Sequence, residues 1–261
     1  MKLGRRSPPA AWEGFFLIGL FPGGEWCKLQ LFSGGPPKRH CFAAIEGMDG
    51  PGARMLMLEG TAAGITQQEA RFDELARAEE GWNLSAPDLR WEGTLESMDL
   101  QARGVSARIR CAPDILWWLR WGHKLAYWTA FGTLEWNGKK GVALVEQAWG
   151  AATRIDLVRH APRWHWDVLA FDDGSVCAGL WSTLGPLRSG GRLPGQPFHR
   201  GRGLGFHPID DTRWRGKLRL GKQLFEYEAR AATPLAPTVP GGGMMGFTFD
   251  GGTGFTEFGK P

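Results

Sequence analysis

Tyrosine is scarce in this chain: only two of its 261 residues are tyrosine, whereas 14 are tryptophan. Tryptophan is large, rigid and apolar, and its single N–H group needs a hydrogen-bond partner when it is buried. Two interpretations of this enrichment stay open. The tryptophans could build an unusually aromatic core, or they could line a cavity for a bulky apolar ligand.

Cysteine is also rare, with four residues and no C-x-x-C pair among them. No histidine stands at zinc-ligand spacing from a cysteine, so a zinc-thiolate site is not expected. Each cysteine lies in an apolar, strand-like run, which predicts buried free thiols in a reducing, cytoplasmic compartment. These residues are Cys27, Cys41, Cys111 and Cys177.

Long apolar runs and a strong excess of one charge are both absent. The run Phe15–Phe21 is too short for a signal-peptide core or a membrane span, so stable membrane insertion is not expected. The net charge is +4, and only Arg188–Arg219 is locally rich in basic residues. A solvated, glycine-rich loop and an anion-binding segment both fit that stretch. Since no nucleic-acid-binding motif is present, we expect no nucleic-acid partner.

Motifs for several common chemistries are missing as well. No G-x-S-x-G sequence occurs, and Gly201–Gly205 lacks the preceding strand and following helix of a dinucleotide-binding loop. His199 and His207, with Asp210 and Asp211, fit no common metal-ligand spacing. We therefore expect neither a metal nor an organic cofactor.

The chain does contain 39 glycines and 17 prolines, which divide it into many short apolar segments. This pattern predicts an all-β fold with at most two short helices. Asn137-Gly138, between Phe131–Trp136 and Gly141–Ala148, predicts the clearest hairpin because both turn positions tolerate positive φ. A capping-box sequence and a narrow apolar stripe predict one helix over Thr66–Glu80. Further strands are predicted over Gly14–Phe21, Glu25–Phe32, Arg39–Glu46, Ala53–Gly60, Leu89–Leu95, Met98–Ala102, Val105–Cys111, Trp164–Phe171, Ser175–Ser182, Leu218–Leu220, Leu224–Ala231 and Met244–Phe249.

An internal similarity suggests that the fold is repeated. Trp12–Cys27 can be aligned, with a short gap, on Trp164–Cys177. Each segment has an aromatic-led strand, a turn containing glycine, and a second strand that carries a cysteine near its start. A repeat of this length predicts two similar β units rather than a short-period array. We place the N-terminal unit at residues 1–125 and the C-terminal unit at residues 126–261.

Four short motifs follow one another in a distinctive order. They are Gly132–Lys140, Gln147–Gly150, the W-x-W strand from Trp164 to its Asp-Asp-Gly turn, and the glycine-rich tail Gly251–Glu257. In this order they resemble the lipocalin-like superfamily of carotenoid hydratases (hydroxyneurosporene synthases), tocopherol cyclases and related natural-product cyclases. The resemblance implies two lipocalin-like antiparallel β-barrels or strongly bent sheets packed together, with an apolar cavity. It also implies a hydrophobic terpenoid, polyene or polyketide substrate as the partner.

Candidate site residues come from the tryptophan-rich motifs. Alkene protonation needs an acid in a dry pocket, and burial raises the pKa of a carboxyl group. The candidate catalytic residues are Glu146, Asp167 and Tyr127. Aromatic walls and hydrogen-bond donors for a folded substrate are predicted at Trp128, Gln147, Trp149, Trp164, Trp166 and Glu257.

The Trp164–Phe171 strand presents two different faces. Alternation places Trp164 and Trp166 on one face and His165 and Asp167 on the other. The His165/Asp167 pair could contribute to the cavity or lie on a solvated outer face, and Glu13 has the same ambiguity in the first unit.

Two classes of function stay open. The first is an enzyme that cyclises its substrate, by a pericyclic or proton-assisted route, or hydrates an alkene. The corner Glu146–Gly150 lacks the histidines of the hydratases, so cyclisation, or binding without chemistry, is at least as well supported as hydration. The second is a non-catalytic carrier of a lipid or pigment.

Overall fold

The computed structural model describes residues 12–33, 52–77, 83–121, 125–150, 163–182, 188–237 and 242–259. Within these ranges the secondary structure is all β apart from one 3-10 turn at Pro22–Gly24, so the predicted fold class is confirmed. In the described part of the chain, no helix has the length and apolar character to cross a membrane.

The first sheet contains eleven strands in the order β4-β3-β2-β1-β11-β10-β9-β8-β7-β6-β5 and is open at both edges. Its strands are β1 (Trp12–Leu20), β2 (Trp26–Ser33), β3 (Ala53–Thr61), β4 (Gly64–Phe72), β5 (Ala76–Arg77), β6 (Leu84–Ala86), β7 (Leu89–Thr94), β8 (Ser97–Ala102), β9 (Val105–Trp121), β10 (Leu125–Trp136) and β11 (Lys139–Gly150).

The second sheet contains ten strands, nine of them in the order β15-β14-β13-β12-β21-β20-β18-β17-β16, with β19 paired to β20. Its strands are β12 (Trp164–Phe171), β13 (Val176–Ser182), β14 (Arg188–Gly191), β15 (His199–Gly201), β16 (Leu204–Pro208), β17 (Arg213–Leu220), β18 (Gln223–Ala231), β19 (Ala236–Pro237), β20 (Gly243–Phe249) and β21 (Gly252–Gly259).

The second sheet curls into a nearly closed barrel. Gly221 N donates to Arg200 O at 2.9 Å, and the Ser189 hydroxyl donates to Arg219 O. These bonds join the β14–β15 edge to the end of β17, so the two sides of the sheet meet. The inner face buries Leu169 and Phe171 of β12 in an apolar cluster with Leu218 and Phe247.

The predicted helix over Thr66–Glu80 is wrong. Gly64–Phe72 is strand β4, which forms a hairpin with β3 around a turn in which Thr61 Oγ1 donates to Gly64 O at 3.3 Å. Ala70 and Phe72 are buried and the intervening Arg71 is exposed, a period of two that belongs to a strand. The capping-box sequence is a local signal, and pairing with β3 overrides it.

The predicted hairpins and strands are otherwise confirmed wherever the structure describes them; the predicted strand Arg39–Glu46 lies outside the described residues. The β10–β11 hairpin turns at Asn137-Gly138, with φ of 49° and 80°. Asn137 also fixes the neighbouring strand, because its Oδ1 accepts a hydrogen bond from Ser106 N at 2.8 Å.

The internal similarity corresponds to an equivalent topology. β1 lies between β2 and β11, the last strand of its sheet, and β12 lies between β13 and β21, the last strand of the other. The turns also match: Phe21 N donates to Glu25 O, and Phe171 N donates to Ser175 O, both at 2.9 Å. Each sheet is therefore organised around a central pair formed by its first and last strands.

The chain divides into two compact units. The second unit combines Leu20–Cys27 and Glu59–Thr66 with the part of the chain that forms β12–β21, and the first unit contains the remainder. The predicted boundary between residues 125 and 126 does not coincide with this division, because β10 and β11 pair with β9 in the first sheet.

Three of the four cysteines lie in described strands. Cys27, Cys111 and Cys177 are buried and their thiols form no disulfide among the described residues, as predicted, and Cys41 lies outside the described residues. Burial raises the pKa of the Cys111 thiol to about 12 and also raises that of Cys177.

Candidate functional site

The most highly connected polar cluster of the second unit lies on the inner face of its barrel, at Asp167. This carboxyl group is 1% exposed. The hydrogen-bonding groups around it come from His165 on the same strand and from three other strands, β17, β18 and β21. Its Oδ1 lies 2.6 Å from His165 Nε2, and its Oδ2 accepts hydrogen bonds from Trp214 Nε1 at 3.2 Å and from the Tyr227 hydroxyl. Thr256 Oγ1 lies 3.0 Å from His165 Nε2.

Strand register explains how these residues meet. His165 and Asp167 follow each other at a spacing of two on β12, so they share a face. Thr256 of β21 stands directly opposite Asp167. Tyr227 reaches Asp167 from β18, across the barrel interior and 60 residues along the chain.

Asp167 is an anion in this setting. Burial raises its pKa, but the charge that His165 carries whenever it is protonated and hydrogen bonds from His165, Thr256 and Tyr227 outweigh that effect, so the pKa of Asp167 lies below its ordinary value. Burial and the charge of Asp167 raise the pKa of Tyr227 well above its usual value. Tyr227 therefore keeps its proton and donates it in a hydrogen bond.

The two ring nitrogens of His165 differ in their surroundings. Nε2 faces the Asp167 carboxylate, which fixes a proton there. Nδ1 has no hydrogen-bond partner among the described residues. The neutral ring therefore carries a lone pair on Nδ1, and this atom is the one able to exchange a proton with another molecule.

Aromatic rings surround this imidazole. The Phe206 ring stacks on it with a centroid distance of 3.8 Å, and the Phe258 ring lies nearly parallel at 6.1 Å. The Trp214 ring meets it edge-on at 6.3 Å. Phe206 and Phe258 are themselves half-buried, whereas His165 is 5% exposed. The faces of the imidazole are thus shielded from water and its Nδ1 edge lacks a protein partner.

A second polar cluster lies in the first unit, around Glu146. Thr129, directly opposite on β10, donates to Glu146 Oε1 at 2.5 Å, and the Tyr127 hydroxyl donates to the same oxygen at 2.9 Å. Trp118 Nε1 donates in turn to Thr129 Oγ1 at 2.5 Å. Tyr127 pairs with Leu119 of β9, whereas the next residue, Trp128, pairs with Trp117. Trp118 is therefore skipped in the register and lies in a β-bulge.

The structure places the predicted site residues in both units. Tyr127 and Glu146 come together in the first unit, and Asp167 joins His165 in the second. Trp164 and Trp166 lie on the face of β12 opposite to His165 and Asp167, with Glu257 directly across from Trp166 on β21. Trp128 stands opposite Gln147 in the first unit, and Trp149 follows two residues later on the face of β11 that Gln147 occupies.

Sequence reasoning missed Trp214, Tyr227, Phe206 and Thr256. Tyr227 had a detectable signal, because Phe225, Tyr227 and Ala229 alternate with charged residues along β18. Nothing local indicates that their side chains converge on the His165–Asp167 pair, since all four come from strands further along the chain.

The locally basic stretch forms ion pairs on the outer surface of the second sheet. Arg213 pairs with Asp210 at 2.7 Å, Arg215 with Glu228 at 3.3 Å, and Lys217 with Glu226 at 2.8 Å. Among the residues that the structure describes, no group of three or more histidine, cysteine or carboxylate side chains could hold a metal ion.

Comparison with known proteins identifies the fold. No protein-family model matches the chain, and no curated protein matches it. The crystal structure of kievitone hydratase from Nectria haematococca is similar over 98% of this chain and 90% of its own, with a TM-score of 0.57 and 10% identity. A crystal structure from Nitrosomonas europaea, provisionally assigned as AttH (NE1406), is similar over 96% of this chain and 92% of its own, with a TM-score of 0.54 and 14% identity. At these identities the similarity shows the fold, which is the all-β, lipocalin-like architecture predicted from the motifs.

Proposed function

We propose that the protein is an acid–base enzyme that adds water to, or removes water from, an activated double bond of a hydrophobic substrate. The observation that carries the proposal is the state of His165: Nε2 is held by an ionised, buried Asp167, and Nδ1 is without a hydrogen-bond partner in the described structure. A carboxylate that fixes the histidine tautomer also stabilises the imidazolium formed when the ring takes up a proton.

The chemistry follows from that geometry. In the hydration direction, His165 Nδ1 takes a proton from water as the water oxygen attacks the electron-poor carbon of a double bond conjugated to a carbonyl. The imidazolium then returns a proton to the neighbouring carbon, so that one water molecule is added in total. Dehydration is the reverse, and Asp167 stays ionised throughout.

This assignment changes the role expected for Asp167. The sequence favoured a buried carboxylic acid as proton donor to an alkene, but a carboxyl group with a lowered pKa is a poor acid. Proton-assisted cyclisation through Asp167 is therefore less well supported than base-assisted hydration. The resemblance to hydratases, and a structural neighbour whose own name is kievitone hydratase, support hydration as the overall reaction.

The test is solvent-hydrogen incorporation. The protein is incubated in D₂O with hydrophobic enones and, separately, with kievitone, and the products are analysed by mass spectrometry. We expect deuterium on carbon and a mass gain of one water, with a loss of turnover of about 10²-fold or more in His165→Gln. Asp167→Asn should also lose activity, because the neutral amide no longer fixes the tautomer or stabilises the imidazolium.

A non-catalytic carrier is the competing function. Both oxygens of Asp167 are already paired within the protein, as they would be in a cluster that only stabilises the barrel. Saturable binding without turnover on any compound tested would favour the carrier. Turnover without deuterium incorporation, unaffected by His165→Gln, would favour a shape-directed cyclase.

A further inference from the structure

Gln147, in the first unit, has a buried polar atom with no hydrogen-bond partner among the residues that the structure describes. The side chain is 1% exposed, and its Oε1 is buried without a hydrogen bond. Its Nε2 donates to Glu13 Oε1 at 2.5 Å. This bond holds the amide in one orientation, because a flipped amide would place two acceptor oxygens against each other. The free acceptor is thus a fixed feature of this position.

Gln147 lies among buried apolar side chains on its face of the first sheet. It stands opposite Trp128 on β10, and strand alternation places Val145 and Trp149 beside it on the same face of β11. These three side chains are buried. The unpaired oxygen therefore lies in an apolar and aromatic environment within the first unit.

Leaving such an acceptor unpaired is costly, so native proteins supply it with a donor in nearly every case. We infer that Gln147 Oε1 marks a ligand site in the first unit that receives the hydroxyl group of an otherwise apolar, aromatic-sized molecule. The Trp128 ring supplies apolar contact area, and the oxygens of Gln147 and Glu13 favour a hydrogen-bond donor over a carboxylate. The residues that define this site belong to the first unit, and the inference does not depend on the proposed function.

A matched set of ligands tests the inference. 2-Naphthol, 2-methylnaphthalene and 2-naphthoate share one ring system and differ in carrying a donor, neither group, or an anionic acceptor. Tryptophan fluorescence or calorimetry gives their affinities for the whole protein. We expect 2-naphthol to bind about tenfold more tightly than 2-methylnaphthalene, the difference typical of one buried hydrogen bond. 2-Naphthoate should bind most weakly.

Variants assign that difference to a residue. Gln147→Met keeps the length of the side chain and removes its acceptor. The variant should therefore bind 2-naphthol and 2-methylnaphthalene with about equal affinity. Gln101→Met, at an exposed position of β8 in the same unit, should keep the preference. His165→Gln should keep it as well, which separates this site from the cluster in the second unit.

A readout on the unmodified protein covers the case in which Gln147→Met does not fold. The side-chain amide signals of Gln147 should shift in NMR spectra on addition of 2-naphthol and stay in place with 2-methylnaphthalene. Equal affinities for the two ligands, a preference retained by Gln147→Met, or a crystal structure soaked with 2-naphthol that shows only a water molecule on Oε1 would overturn the inference.

Discussion

At the residue scale, Asp167 determines the properties of the groups around it. Its charge makes His165 Nε2 and the Tyr227 hydroxyl donors, and so leaves Nδ1 as the single atom of the imidazole available for proton exchange. A buried carboxylate is stable only while it is paired, because desolvation penalises the charge. The same interactions that create the proposed base therefore also contribute to the stability of the barrel.

Replacing Asp167 should expose that contribution. We expect Asp167→Asn to lower the free energy of unfolding by about 3 kcal/mol at pH 7, because a buried carboxylate that accepts several hydrogen bonds is replaced by a neutral amide that matches those donors less well. Because the pKa of Asp167 is lower in the folded state than in the unfolded chain, this stabilisation is present above about pH 4 and is lost as the pH falls through the folded value. Urea unfolding at pH 7, 5 and 3 should show a difference between wild type and variant that shrinks with acidification. A difference in unfolding free energy that stays the same from pH 7 to pH 3 would contradict an ionised Asp167 in the folded protein.

At the scale of single elements, glycines in the second sheet make room for the cluster. Gly216 of β17 stands opposite Tyr227 of β18, and a Cβ at Gly216 would lie 2.0 Å from Tyr227 Cζ. The Tyr227 ring thus occupies the space that a side chain at this position would need. This close approach is what directs the hydroxyl group to Asp167.

Gly216→Ala should therefore displace Tyr227. We expect a loss of about 2 kcal/mol in the free energy of unfolding, typical of overpacking, together with reduced turnover. Gly205→Ala in the adjacent strand β16 is the matched control, because the atoms nearest its Cβ all belong to Lys217 and the closest is Lys217 Cβ at 3.4 Å. Denaturant unfolding of both variants measures the difference, and equal stability of the two would show that Tyr227 does not need this space.

The equivalent turns after β1 and β12 offer a second comparison of elements. Gly24 and Gly174 have φ of 81° and 84°, so alanine at either position is strained by about 1–2 kcal/mol. A Cβ at Gly24 would also lie 2.5 Å from Ala232 Cβ, whereas a Cβ at Gly174 would meet nothing within 4 Å. Thermal unfolding should therefore show a larger loss for Gly24→Ala than for Gly174→Ala. An equal loss would mean that only the backbone conformation matters.

Local patterns explain which elements the sequence predicts well. Asn137-Gly138 and the two repeated turns have sequences that specify their backbone, and alternation fixes the flanking strands. The segment Gly64–Phe72 is not predicted correctly because its polar residues hide the period of two, and pairing with β3 decides its structure.

Of the candidate site, the His165/Asp167 pair is predictable from the spacing of the two residues on one strand. Its contact with Tyr227 depends on the curvature of the whole sheet, which no local pattern encodes.

At the scale of the whole molecule, each compact unit buries a polar cluster of its own beside tryptophan. Glu146 in the first unit is paired by Thr129 and Tyr127, and Asp167 in the second is paired by three donors. Tryptophan takes part in both networks through its N–H group, Trp118 in one and Trp214 in the other. Part of the enrichment in tryptophan is thus explained by donors within the folded units.

The buried cysteines report on the integrity of both units. In a Cys41→Ser background, Cys27, Cys111 and Cys177 should not react with a thiol reagent in the native protein and should react together on unfolding, because burial removes access and raises the pKa of Cys111 and Cys177. Titration in denaturant without reductant should find three thiols in that background. Fast reaction of one thiol in the native state would contradict the burial of its strand.

The most direct measurement of the central claim is ¹⁵N NMR of the His165 ring, with its signals identified by their loss in His165→Gln. The account predicts that the neutral ring carries its proton on Nε2 and an unprotonated Nδ1, and that Asp167→Asn abolishes this preference. It also predicts that a bound hydrophobic enone shifts the Nδ1 signal more than that of Nε2. A neutral ring with its proton on Nδ1, or a ring unaffected by Asp167→Asn, would contradict the assignment of His165 as the proton-transfer group.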